Sequence, residues 1–205
     1  MFIGKWNKSV ILTYIGLAVS IFGILICFYD NEKSVNYAMS CLIIAGICDL
    51  FDGAISRKCK RTVQEKNFGI ELDSLVDTID FIALPIAIFL RLQMNTWYHY
   101  IILVAFAVCG IARLAHFNIM VEDNSKPVKY YTGLPVTYTA LIFPIVYLLK
   151  YIIPINIFNI IYTILIPLVA MLNIINIKIK KPKGIVYLIF SLLAIIVLVL
   201  YLGVL

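Results

Sequence analysis

Of the 205 residues, 63% are hydrophobic and only 14% charged, and the mean hydropathy is +1.01. A soluble domain carries roughly a quarter charged residues, so the composition excludes a water-soluble protein and indicates an integral membrane protein. The net charge of +6 does not mark a nucleic-acid binder, because the basic residues sit in short loops between apolar blocks, as topology signals do.

The apolar blocks have the ~20-residue length that crosses a bilayer core. Seven spans are expected, near residues 10–29, 35–56, 69–90, 97–119, 134–153, 155–175 and 184–205. Lys150 and the Ile153-Pro154 step separate the fifth from the sixth, since a proline restricts the residue before it. The first block is too long for a signal-peptide core and lacks a small-residue cleavage pattern, so it is expected to be retained. Cys27, Cys41, Cys48, Cys59 and Cys109 show no paired spacing, which suggests neither a disulfide framework nor a zinc site.

Charge asymmetry orients the chain. Lys5 and Lys8 precede the first span. Arg57, Lys58, Lys60, Arg61 and Lys66 lie between the second and third, Lys126 and Lys129 between the fourth and fifth, and Lys178, Lys180, Lys181 and Lys183 between the sixth and seventh. The opposite loops hold only Lys33, Arg91 and Lys150. Positive residues collect on the inner side, so a cytoplasmic N-terminus, an outer C-terminus and a place in the plasma membrane are expected.

Four aspartates break the apolar pattern: Asp49 and Asp52 in the second span, Asp73 and Asp77 in the third. One ionised Asp costs ~2.5–3.5 kcal/mol at the centre of a membrane helix, so four of them demand a cation or a wet cavity. Residues three and four apart share a helix face. Asp49, Asp52, Gly53, Ser56 and Arg57 therefore form one stripe, and Gly69, Asp73, Asp77 and Asp80 a second. The short 58–68 loop makes the two helices antiparallel neighbours, so the stripes can face each other. Clustered carboxylate oxygens without His or Cys suit Mg²⁺, Mn²⁺ or Ca²⁺. Arg57 offers a planar fork to phosphate, and Gly53 and Gly69 leave room beside the acids. Arg113, within the fourth span, is the other buried charge. It can bind a carboxylate or phosphate, or pair with one of the acids.

The run Asp49-x-x-Asp52-Gly53-x-x-Ser56-Arg57, then Gly69-x-x-x-Asp73-x-x-x-Asp77, resembles the signature of the CDP-alcohol phosphatidyltransferase family, with Ser56 in place of the usual alanine. Gly69-Ile70-Glu71-Leu72-Asp73-Ser74-Leu75-Val76-Asp77, Arg113-Leu114-Ala115-His116-Phe117-Asn118 and Gly133-Leu134-Pro135 are similar to the phosphatidylserine synthase branch of that family. Departures are His116 for an arginine, Ile82 for a glycine, and Asp80 as an additional acid. The first span keeps Leu12-Thr13 without the usual Pro-Asn before it.

The resemblance implies an all-α polytopic membrane bundle: a six-helix core over about 8–177 and an additional helix over about 184–205, in a single domain spanning 1–205. It implies two divalent cations, Mg²⁺ or Mn²⁺ (Ca²⁺ as substitute or inhibitor), held by Asp49, Asp52, Asp73 and Asp77. Asp52, Gly53, Ser56, Arg57 and Gly69 would bind the CDP group, and Asp77 would also act as the base. Arg113, Asn118 and Glu71 are expected at the acceptor or the lipid phosphate, with His116 as a proton-accepting accessory. The implied reaction moves a phosphatidyl group from CDP-diacylglycerol, or an archaeal analogue, to L-serine and releases CMP. A homodimer among membrane lipids is implied as well. Inositol phosphate or glycerol phosphate as acceptor is the rival within the family, and a divalent-cation transporter the rival outside it. Arg57 and the glycines have no clear part in transport, and acids near one membrane face do not trace a path across it.

Overall fold

A computed structural model describes residues 7–56, 58–123, 130–180 and 185–204. Among these the regular secondary structure is helical apart from two three-residue strands. Five helical stretches are long and apolar enough to cross a membrane: Lys8–Cys27, Ser34–Ser56, Trp97–Met120, Ile155–Ile174 and Ile185–Gly203. The all-α membrane bundle expected from the sequence is the fold observed.

The helices are α1 (Ile11–Cys27), α2 (Ser34–Ser56), α3 (Val63–Thr78), α4 (Leu84–Arg91), α5 (Trp97–Asp123), α6 (Thr139–Tyr147), α7 (Ile155–Ile174) and α8 (Ile185–Val199). A π-turn over Ile79–Ala83 joins α3 to α4 without a break, so they form one rod. It starts six residues before the expected position 69, because Thr62 opens a capping box. The Thr62 hydroxyl accepts from the Glu65 amide at 3.2 Å, and Glu65 Oε2 accepts from the Thr62 amide at 2.7 Å. Two orphan donors of the first turn are thereby satisfied. The fifth expected span is shorter than a bilayer crossing; α6 is flanked by 3₁₀ turns at Val136–Tyr138 and Leu148–Tyr151. The cut after Ile153 falls where expected, with Pro154 as the N-cap of α7.

α1 packs along α2, and α5 along α7. The core between α4, α5, α6 and α7 is aromatic. Phe89 meets Phe143 edge-on, with centroids 4.8 Å apart, and also contacts Phe106 and Tyr162. Buried phenols need a partner: Tyr162 donates to the Phe143 carbonyl at 2.6 Å, and Tyr201 to that of Pro144. Tyr201, with Ala194 and Val197 of α8, thus joins the same buried cluster. Near the opposite loops, Arg91 pairs with Asp30 at 3.0 Å.

A feature absent from the sequence reading is the antiparallel pair β1 (Tyr130–Thr132) and β2 (Lys178–Lys180). It connects the segment after α5 to the segment after α7. Gly133 follows β1 with φ +74°, and a Cβ there would lie 2.4 Å from the Asn173 carbonyl oxygen. The position therefore requires glycine on two counts. Gly133 and Leu134 donate their amides to the carbonyls of Ile177 and Leu172, at 2.9 and 2.8 Å. The Gly133-Leu134-Pro135 turn is thereby fastened over the end of α7.

Candidate active site

The two acidic stripes meet as their spacing requires. Oxygens of Asp49, Asp52 and Asp73 all lie within 4.8 Å of one another. Asp52 and Asp73 come within hydrogen-bonding reach of each other, close enough that a cation or proton must offset their repulsion. Among the described residues, no Lys or Arg forms an ion pair with any of these acids. The set is oxygen-only and clustered, the donor chemistry of a hard divalent cation. Thr13 of α1 donates to Asp52 Oδ2 at 3.1 Å, fixing that carboxylate from the third side.

Asp77 is not in the three-acid group, but it lines one cavity with Asp49, Asp73, Arg113, Asn118 and Tyr131. This cavity has a volume of about 210 Å³. Arg113 is buried at 6% exposure, and its guanidinium carbon lies 4.9 Å from the Phe117 ring centroid and 5.9 Å from that of Tyr131. Among the described residues Arg113 forms no ion pair with an acid; its guanidinium lies over the two rings instead. Asn118 donates to the Ser74 hydroxyl at 2.7 Å. Burial pushes the Tyr131 phenol up to about 12, so it faces the cavity as a neutral hydroxyl.

The remaining expected residues divide. A Cβ at Gly69 would find only ordinary contacts, 3.8 Å from Val10 and 3.9 Å from the Arg61 guanidinium. Packing alone does not demand that glycine. Gly53 is half-buried on α2, and the Ser56 hydroxyl donates back to the Gly53 carbonyl at 3.2 Å. Arg57 lies outside the described residues, as do Lys5, Lys126, Lys129, Lys181 and Lys183. Glu71 is exposed and does not line the carboxylate cavity, and His116 lines a different one. Asp80 also leaves its stripe, because the π-turn moves it against α1. It is 2% exposed, and its Oδ2 would be 3.2 Å from a Cβ at Gly16. Sequence reasoning gave no role to Thr13 or Tyr131, and read Arg61 only as a topology signal. Thr13 alone carried a signal, the Leu12-Thr13 step.

Residues 6–202 match the CDP-alcohol phosphatidyltransferase family. The chain belongs to that family. Among similar proteins is the CDP-diacylglycerol–serine O-phosphatidyltransferase of Saccharomyces cerevisiae, 36% identical over 115 residues, covering 53% of this chain and 41% of the yeast protein. The archaetidylserine synthase of Methanothermobacter thermautotrophicus is 31% identical over 119 residues, 58% of this chain and 49% of that one. The CDP-diacylglycerol–serine O-phosphatidyltransferase of Helicobacter pylori strain 26695 is 32% identical over 135 residues, 61% and 52%. The matched segment thus covers about half the length of these curated relatives, or less.

Proposed function

We propose that this family member transfers a phosphatidyl group, or its archaeal counterpart, from a CDP-linked lipid to the hydroxyl of L-serine, releasing CMP. The observation that carries the reading is the three-carboxylate cluster beside a cavity lined by both Asp77 and Arg113. The names of the similar proteins support serine as the acceptor.

Asp49, Asp52, Asp73 and Asp77 would hold two divalent cations, Mg²⁺ or Mn²⁺. When bound, these neutralise the pyrophosphate and stabilise the attacking and leaving oxygens of an in-line displacement. Thr13 orients Asp52 for that role. Gly69 and Gly53 leave space for the cytidine and phosphates, and Ser56 and Arg57 complete the proposed CDP-binding set. Asp77 takes the proton from the serine hydroxyl, which is a weak nucleophile at neutral pH without a positioned base. The freed oxygen attacks the phosphorus attached to the lipid, and the bond to the CMP oxygen breaks. Arg113 binds the acceptor's carboxylate. The loop charges support a site on the cytoplasmic side, where serine and CMP are soluble. The lipid tails stay in the bilayer, and a homodimer is the proposed assembly.

The test is release of CMP by the purified chain from CDP-diacylglycerol and Mn²⁺ with serine, glycerol phosphate or inositol phosphate. Release with serine is expected. Release only with a phosphorylated alcohol would reassign the acceptor. No release with any alcohol, together with metal flux in vesicles, would remove the transferase reading.

A further inference from the structure

A second cavity, of about 260 Å³, lies on the other side of Arg113, between α5 and the end of α7. It is lined by Arg113, His116, Thr132, Asn173 and Asn176 among others. Asn173 is 2% exposed, and among the described residues neither its Oδ1 nor its Nδ2 has a partner; the buried Arg113 Nε also has none there. Buried polar groups are otherwise satisfied as a rule, and leaving one unpaired is costly. Because both amide atoms of Asn173 are free, the conclusion does not depend on which is oxygen and which nitrogen. The cavity therefore presents two donors and one acceptor without partners among the described residues.

Its charge is also polarised. The α5 wall carries the Arg113 guanidinium. Asn173 sits in the last turn of α7, where the helix dipole is negative and favours a cation. A phosphate would satisfy only the first wall. An α-amino acid satisfies both, with its carboxylate towards Arg113 Nε and the Asn173 amide hydrogen, and its ammonium towards the Asn173 oxygen and the helix end.

We propose that the Arg113–Asn173 cavity is a recognition subsite for the charged end of the amino-acid acceptor, with Asn173 as the residue that distinguishes an amino acid from other alcohols. This rests on serine being the acceptor. Arg113 lines both cavities, so a ligand at its Nε edge is one side chain's width from the carboxylate groove.

The test uses the full chain in detergent with CDP-diacylglycerol and Mn²⁺, following CMP release. Asn173→Leu keeps the branched outline of the side chain and removes both hydrogen-bonding atoms. It should raise the serine KM about tenfold or more, the loss of a hydrogen bond to a charged group, with the KM for CDP-diacylglycerol within twofold of wild type. The preference for serine over ethanolamine, which lacks the carboxylate, should narrow by a similar factor. Asn176→Ala, on the open side of the cavity, should raise the serine KM about threefold, and decides the matter if Asn173→Leu does not fold. An unchanged serine KM in both variants would overturn the proposal and leave the cavity to solvent. A raised KM for the CDP-lipid alone would overturn it in favour of a headgroup site. If wild-type protein releases CMP with glycerol phosphate but not serine, the acceptor assignment fails and the subsite with it, a result visible before any variant is made.

Discussion

Thr13 of α1 donates its hydroxyl hydrogen to Asp52 Oδ2 of α2 at 3.1 Å, tying a helix without acids of its own to the carboxylate cluster. A carboxylate has two oxygens, so the bond orients Asp52 while leaving the other oxygen for a cation. Partners of this kind set ligand geometry, and their loss typically costs 10–100-fold in metal affinity. Thr13→Val should therefore raise the Mn²⁺ concentration needed for half-maximal CMP release about tenfold, with turnover recovering at saturating metal. A metal titration at fixed CDP-lipid checks this. An unchanged requirement would reduce the Thr13 bond to helix packing.

The same cluster makes a prediction about stability. Asp49, Asp52 and Asp73 sit with oxygens within 4.8 Å of one another, so crowding the three carboxylates opposes folding until a cation or proton offsets their repulsion. Ligand bound only to the native state stabilises it by about 2.7 kcal/mol at a hundredfold excess over Kd. Mg²⁺ or Mn²⁺ should therefore raise the unfolding temperature in detergent, and a chelator should reverse the rise. Asp73→Asn should raise the unfolding temperature of the metal-free protein, abolish the metal-induced rise and abolish activity. Activity surviving Asp73→Asn would remove that residue from the ligand set.

Much of this site was legible in the sequence because it is local. Spacings of three and four residues put Asp49 with Asp52, and Asp73 with Asp77, on single faces whatever the tertiary fold. A short loop then brings the two faces together. What was not legible depends on segments far apart in the chain. Tyr131 reaches the cavity through a strand pair between residues 130–132 and 178–180, which no periodicity announces. Asn173 gains its meaning only once the end of α7 lies beside Arg113. Asp80 was placed on the stripe with Asp77 by an α-helical count, and the π-turn over Ile79–Ala83 adds the offset that turns it towards Gly16. The start of α3 differs for another reason: Thr62-x-x-Glu65 is a readable capping box, but it lies outside the apolar block that marks the span.

Gly133 tests whether the loop over α7 matters to the site. Its φ of +74° is strained for other residues, and a Cβ would lie 2.4 Å from the Asn173 carbonyl oxygen. A non-glycine residue held in that region costs about 1–3 kcal/mol before any clash is counted. Gly133→Ala should therefore lower stability by at least that much in denaturant titrations. It should also raise the acceptor KM, because the displaced turn carries Tyr131 and Thr132 on one side and Val136 and Thr137 on the other. Wild-type stability would mean that the turn relaxes without strain.

Asp77 is the residue for which binding and chemistry can be separated. It lines the cavity with Arg113 and Asn118 but stands outside the three-acid group, so the metal and the CDP-lipid retain Asp49, Asp52 and Asp73 when it is changed. Asp77→Asn keeps the shape and removes the proton acceptor. A general base contributes about 10²–10⁴-fold, and CMP release should fall by that factor, while CDP-diacylglycerol still binds in the presence of Mn²⁺ by equilibrium titration. Loss of metal and lipid binding in parallel with activity would make Asp77 a ligand first and a base only secondarily. Retention of more than a tenth of wild-type turnover would move the base elsewhere in the cavity.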